Sequence, residues 1–228
     1  MTLQRIEEHR KAQGLIIASD EAGCGPWAGP LVVCAASAPP GWTDARIQDS
    51  KRFSGKAKEG QREALYDEIV KDPRFIFTTI IVESDAVDRM GVYRANQFGH
   101  KAALRGTVDK VSAPALIVVD GKLPVETFDL GSNIIALPKA DALVRECSLA
   151  SIIAKVVHDR LMREHDKTYP GYGFAEHKGY GTEQHEAALD KLGICPIHRR
   201  SFSPIKKREE GLPKSQNIFD LMDEFLNE

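Results

Sequence analysis

Apolar residues fall in short runs separated by segments of helical spacing, and no run is long. "GLIIASD" (14–20) and "PLVVCAAS" (30–37) read as apolar strands on either side of a Gly/Pro-rich turn, so they predict a hairpin. "RFIFTTIIVES" (74–84), rich in β-branched and aromatic residues, predicts a third strand. "ALIVVDG" (115–121) and "NIIALPK" (133–139), short apolar runs bounded by Gly and Pro, predict the fourth and fifth strands of a mixed sheet. The segment that begins "DSKRFSGK" turns helical near Ala57, and "YRANQFGHKAALRGTV" carries apolar residues at helical spacing. "LVRECSLASIIAKVVHDRLMREHDKTYP" (143–170) predicts a long helix that stops before Pro170, because the residue before a proline disfavours the helical region. Thr182 opens a further helix that Gly193 ends. This order predicts an α/β layer architecture over 14–168, followed by a small helical C-terminal region over 169–228.

A chain of 228 residues can bury a sizeable core without disulfide or metal staples. No apolar run approaches the roughly 20 residues that span a bilayer, and the charged start "MTLQRIEEHRKAQG" lacks the apolar stretch of a secretory signal. A cytoplasmic protein with no membrane partner is expected. Cys24, Cys34, Cys147 and Cys195 form no C-x-x-C pair, so neither a zinc site nor a disulfide framework is suggested. The net charge of −2 argues weakly against a nucleic-acid partner, but its distribution does not. Ser151 to Arg208 holds eleven Lys and Arg against seven Asp and Glu, a local basic region able to meet phosphates.

"IIASDEAGCGPWAGPLVV" (16–33) sets two chemistries against each other. Gly23, Gly25 and Ala28 fit the dinucleotide pattern G-x-G-x-x-G/A, which would make the chain an oxidoreductase. Asp20 and Glu21, just ahead of the glycines, point instead to a metal. Asp20 closes the first predicted strand, Asp120 closes the fourth, and Asp141 lies just past the fifth, where an open α/β sheet binds ligands. Hard divalent cations take oxygen ligands and keep several waters, so a few carboxylates completed by substrate phosphates suit them. Successive strand residues face opposite ways, so Asp20 and Glu21 are expected to share a site only if the strand ends between them. A lone Asp at a strand end is more often a turn or cap residue. A glycosidase would need sugar-stacking aromatics, and aromatics make up only 7% of this chain.

Taken together, these blocks resemble the ribonuclease HII family, the type 2 ribonucleases H, over roughly Leu15 to Ile205. "DEAGCGPWAGP" is similar to the family's D-E-A-G-R-G-P-x-A-G-P, and "DSKRFS" to D-S-K-K-L-S. "VVDG" resembles the third motif, and "KADALVRECSLASIIAKVVHDRLM" resembles K-G/A-D followed by A-S-I-x-A-K-V-x-R-D-R. "YPGYGFAEHKGYGTEQH" and "PIHRRSF" resemble its C-terminal signature. The resemblance implies a ribonuclease H-like fold, with a mixed five-stranded sheet flanked by helices and a small helical C-terminal region. It implies an endonuclease that cuts the RNA strand of RNA/DNA hybrids, and that incises 5' to ribonucleotides embedded in duplex DNA by two-metal catalysis with Mg2+ or Mn2+. It aligns Asp20, Glu21, Asp120 and Asp141 with the metal-binding catalytic acids. An inactive hybrid-binding module is disfavoured by the four intact acids. The dinucleotide reading fails on context, since Pro26, Gly29 and Pro30 interrupt the turn and a strand follows where a helix is required.

The resemblance also implies substrate contacts at Gly23, Cys24, Gly25, Lys51, Ser151, Lys155, Lys178 and Tyr180. Ser151 and Lys155 are four apart on one helix, and both are suitable phosphate contacts. Tyr180 aligns with a tyrosine that stacks near the junction of ribose and deoxyribose. His177 is expected near the backbone phosphates, and His198, Arg199 and Arg200 in structural or peripheral places. The tail "SQNIFDLMDEFLNE" (215–228) has apolar residues at helical spacing, expected to pack on the body. Its alternative is a weak contact with a DNA sliding clamp by an enzyme that otherwise acts as a monomer.

Cys24 departs from the family, which carries Arg between the two glycines. The glycines keep the turn whose backbone reads a 2'-hydroxyl, but a thiol is only a weak donor. Losing one charge-assisted contact costs about 1.5–3 kcal/mol. Cys24→Arg is therefore expected to tighten binding or sharpen selectivity for single ribonucleotides. Cleavage assays on single-ribonucleotide and long-hybrid substrates check this, and unchanged behaviour on both would contradict it.

Overall fold

The computed structural model describes residues 2–44, 46–47, 58–111, 113, 115–131 and 133–211. Lys51, the rest of "DSKRFS" and the tail 215–228 lie outside the described residues, and with them the expected lysine contact and the clamp-docking alternative. The chain forms two compact units whose boundaries fall at Cys24/Gly25, Gly29/Pro30 and Leu161/Met162.

The first unit contains helix α1 (Thr2–Lys11), strands β1 (Leu15–Ala22) and β2 (Leu31–Ser37), helix α2 (Glu59–Lys71), strand β3 (Ile76–Val82), and helices α3 (Ser84–Met90) and α4 (Val92–Val108). Strands β4 (Ala115–Asp120) and β5 (Ile134–Leu137), helix α5 (Ala140–Leu143) and most of helix α6 (Arg145–Thr168) complete it. All five predicted strands form one sheet in the order β3-β2-β1-β4-β5. β1, β2 and β3 pair antiparallel, whereas β1, β4 and β5 run parallel. The sheet is therefore mixed, as expected, and the long helix again stops before Pro170. Helices α1 and α3, the short α5 (Ala140–Leu143), and α7 (Phe174–His177) and α9 (Ser203–Gly211) are additions to the expected order. α1 buries only Ile6, so it shows no apolar stripe in the sequence, and α3 is only seven residues long.

Both faces of β2 are buried, which accounts for its unbroken apolar run. On one face Val32, Cys34 and Ala36 join Leu149, Ile153 and Val156 of α6 and Leu65 and Ile69 of α2 in one core. On the other face α4 lies against the sheet, with the Thr107 hydroxyl donating to the Ala35 carbonyl at 3.2 Å. The approach is close because Gly99 faces Val33. A Cβ on Gly99 would stand 2.4 Å from Val33 Cγ2.

The second unit gathers Gly25–Gly29, the end of α6, and helices α7 (Phe174–His177), α8 (Glu183–Leu192) and α9 (Ser203–Gly211). The Gly25–Gly29 segment is stitched in by backbone bonds: Trp27 N–H to the Gly179 carbonyl at 2.8 Å, and Arg199 N–H to the Trp27 carbonyl at 2.7 Å. Phe174, Tyr172, Leu189, Ile197 and Ile205 form its core. Thr182 caps α8 by accepting from the His185 N–H, and Gly193 ends it with a positive φ, as expected. Among the described residues no helix is long and apolar enough to cross a membrane.

Gly99→Ala is expected to destabilise the protein although alanine is the better helix former. Overpacking of this kind costs about 1–3 kcal/mol, and each kcal/mol is worth roughly 2–4 °C in a chain of this size. Thermal unfolding measures it, and an unchanged or raised Tm would mean that α4 has room to shift.

Candidate active site

Ser19 of β1 pairs with Val119 of β4 in parallel register, so Asp20 and Asp120 come next on adjacent strands, at the same end of the sheet. Asp120 is the last residue of β4, and its Oδ1 accepts the Ala140 N–H at 2.5 Å. That bond fastens the strand end to the start of α5, where Asp141 is the second residue. The Ser148 hydroxyl in turn donates to the Asp141 carbonyl.

Asp20 and Glu21 correct the expected geometry. β1 does not end between them: Asp20 pairs with Cys34, Glu21 with Val33 and Ala22 with Val32 in unbroken register. Asp20 shares the face of Cys34, toward α6, and hydrogen-bonds the Ser151 hydroxyl there. Glu21 shares the face of Val33, toward α4, and meets His100. The two carboxylates therefore leave β1 on opposite faces. The glycines redirect the chain only after Ala22, and Gly23 has φ +96°.

Electrostatics show that the acids share one field. Asp20, 6% exposed, is held well above the usual carboxylate range by burial first, then by the charges of Glu21 and Asp120, against the opposing Ser151 hydrogen bond. Asp120 is also raised, by burial and then by Asp141 and Glu21, while the Ala140 N–H pulls the other way. Glu21 goes in the opposite direction. Burial would raise it, but hydrogen bonds from His100, Cys24 and Asn96 and the His100 charge outweigh that and lower it. The buried Cys147 thiol is pushed far up by burial first and then by Asp20, Asp120, Asp141 and Glu21, so each of the four carboxylates lies within electrostatic range of it.

A divalent cation fits this arrangement. Every candidate ligand is a hard carboxylate oxygen, and a cation would offset both the burial and the like charge that raise Asp20 and Asp120. Among the described residues no three or more His, Cys, Asp or Glu side chains are gathered so as to hold a metal ion.

His100 and Asn96 were not singled out from the sequence. They stand four apart on α4, and His100 is fully buried, with Nδ1 2.8 Å from Ser19 Oγ and Nε2 3.0 Å from Glu21 Oε2. A polar pair at helical spacing on the core-facing side of an amphipathic helix was the available signal. The other expected contacts divide between the units. Gly23, Cys24, Ser151 and Lys155 belong to the first; Cys24 Sγ donates to Glu21 Oε1 at 3.5 Å, and Lys155 pairs with buried Asp159 at 2.8 Å. Gly25, Lys178 and Tyr180 belong to the second. There Tyr180 is exposed, whereas Lys178 is buried with Nζ on the Ala175 carbonyl at 2.6 Å. His177, His198 and Arg199 are buried.

A mixed five-stranded sheet flanked by helices, with carboxylates at the ends of two parallel neighbours, defines a ribonuclease H-type hydrolase. The chain is 27% identical to the ribonuclease H2 of Pyrococcus horikoshii and superposes on its crystal structure with a TM-score of 0.64, over 86% of this chain and 97% of that one. It shares its fold also with a Bst-RNase HIII whose structure is a complex with Mn2+, at a TM-score of 0.67 and 20% identity, over 88% of this chain and 71% of that one. The family profile Ribonuclease HII matches residues 17–205. A ribonuclease HII of Thermus thermophilus is 42% identical over 204 residues, 89% of this chain and 94% of that protein. The chain belongs to the ribonuclease HII family and is a ribonuclease H-type endonuclease.

The raised Asp20 carboxyl has a consequence for stability. A carboxyl whose pKa is higher in the folded than in the unfolded state favours folding most when protonated, and weighs against folding as pH rises through that range. Asp20→Asn is therefore expected to raise Tm at neutral pH in metal-free buffer, by about 2–4 °C for each kcal/mol of repulsion relieved. Scanning calorimetry with EDTA checks the sign, and a lowered Tm would show that the Asp20 charge is stabilising.

Proposed function

We propose that this chain incises the strand 5' to a ribonucleotide, in RNA/DNA hybrids and at ribonucleotides embedded in duplex DNA, leaving a 3'-hydroxyl and a 5'-phosphate. The observation that supports this most is that Asp20, Glu21, Asp120 and Asp141 all lie within electrostatic range of one buried group, Cys147, in a chain of this family. Asp20, Glu21, Asp120 and Asp141 would hold two divalent cations, Mg2+ or Mn2+. Bound there, such ions lower the pKa of an attacking water and stabilise the departing oxygen.

The side chains prepare that chemistry before any substrate arrives. Ser151 orients the Asp20 carboxyl by a hydrogen bond, and the Ala140 N–H fixes Asp120. Asp120 and Asp20 are kept close despite repulsion because the parallel pairing of β1 and β4 leaves them no other place. Gly23, Cys24 and Gly25 offer backbone groups to a ribose 2'-hydroxyl, and Gly23 at φ +96° has no room for a side chain, since a Cβ would meet the Pro30 carbonyl at 2.7 Å. Ser151 and Lys155 are suited to phosphate oxygens, and Lys155 Nζ stands 2.8 Å from Asp159 Oδ1. In the second unit the exposed Tyr180 ring can pack against a deoxyribose, where a 2'-hydroxyl would lose its hydrogen-bond partners, and Lys178 stands two residues away.

Duplex DNA carrying one ribonucleotide tests the proposal. Incision on its 5' side is expected with Mg2+ or Mn2+, not with EDTA. Removing several kcal/mol of metal-borne stabilisation in Asp20→Asn should slow it by about 10³-fold, at tenfold per 1.4 kcal/mol. Cleavage of long hybrids alone would limit the activity to those substrates.

A further inference from the structure

Glu21 is the acid whose position the strand explains least. Its side chain leaves β1 on the face opposite to Asp20, toward α4, so it reaches the shared locus only if something on that side turns its carboxylate toward the strand end. We propose that His100 is the positioning residue for Glu21, clamped in turn by Ser19, and that this pair sets how tightly the site holds its divalent cation. The inference rests on the reading of the four acids as metal ligands.

Three observations carry it. Ser19 and Glu21 are two apart on β1 and therefore share a face, and the His100 ring spans them, with one nitrogen on each. The ring is completely buried, so no water competes for either nitrogen. Both ring nitrogens are used. Nε2–H donates to Glu21 Oε2, and Nδ1 meets the Ser19 hydroxyl, which fixes the ring against flipping. Metal sites commonly orient a ligand through a partner one bond further out, and loss of that partner costs about 10–100-fold in metal affinity or activity. Here the metal ligand would be the carboxylate and the outer partner the imidazole.

The bland alternative is that His100 only ties α4 to β1. Metal affinity separates the two, because tying helix to strand leaves no trace on ion binding once the protein is folded. The full chain, wild type and variants, is titrated with Mn2+ alone, and free Mn2+ is read by electron paramagnetic resonance. Thermal unfolding in EDTA checks the fold, and incision is followed against Mn2+ concentration. His100→Leu, which fills the core without a donor, is expected to weaken Mn2+ binding by about 10–100-fold and to move the incision curve to higher Mn2+ by a similar factor. His100→Gln, which keeps a donor for Glu21, is expected to recover part of that affinity, and Ser19→Ala to lose several-fold.

Should His100→Leu fail to fold, the Gln and Ala variants decide the matter. Mn2+ affinity unchanged in every folded variant overturns the proposal. A wild-type chain that binds no Mn2+ and cuts no ribonucleotide-containing duplex overturns the underlying reading of the site instead, so the two failures are distinguishable.

Discussion

Asp20 holds a carboxyl at the end of a core strand, almost out of contact with water, with Glu21 next in sequence and Asp120 on the neighbouring strand. Burial and like charge both oppose ionisation there, and much of the first unit is arranged around that cost. The parallel pairing of β1 and β4 brings two strand ends level, which an antiparallel pair would not do for two C-terminal ends. α6 supplies a hydroxyl from Ser151, α5 supplies a backbone N–H from Ala140, and α4 supplies an imidazole from His100. Each donor partly replaces the water that the carboxylates have given up. Stability and function pull apart at this locus, as is common where a site concentrates one sign of charge.

The strands were legible because the sheet's interior dictates them. β2 is buried on both faces and reads as "LVVCAAS", and β4 reads as "ALIVVD" for the same reason. Helices were legible where their apolar face is wide, as in α6, or where caps mark their ends, as in α8 with Thr182 and Gly193. α1 escaped because only Ile6 of its ten residues is buried. The acids are visible as strand-end residues, but the strand runs through Glu21 in unbroken register, so no chain break turns it toward the face of Asp20. Sequence shows alternation along a strand, but not what stands on the far face. His100 lies 79 residues from Glu21, and nothing local announces their hydrogen bond.

Histidines of the second unit illustrate the opposite case, where burial rather than chemistry accounts for them. Cys195 N–H donates to His198 Nδ1 at 2.9 Å, so Nε2 of His198 carries the proton and donates to His185 Nε2 at 3.0 Å. His185 Nδ1 then donates to the Tyr180 carbonyl at 3.0 Å. Desolvation lowers both rings to about 4, so they stay neutral at neutral pH and the bond between them holds. The chain of donors ends on the backbone of an exposed tyrosine and fixes where that loop sits. His198 thus has the structural place its sequence context suggested.

Cys24 takes on a different meaning beside these donors. Its thiol reaches Glu21 Oε1 at 3.5 Å, and a thiol at that distance is a weak donor. The imidazole of His100 bonds the other oxygen at 3.0 Å from a site without water, and is the stronger constraint. Glu21 therefore takes its firmer orientation from the α4 side of the sheet. A family pattern with Arg at this position would place a charged donor on the turn side instead. In this chain the firmer hold on Glu21 comes from α4, which lies close to the sheet where Gly99 faces Val33.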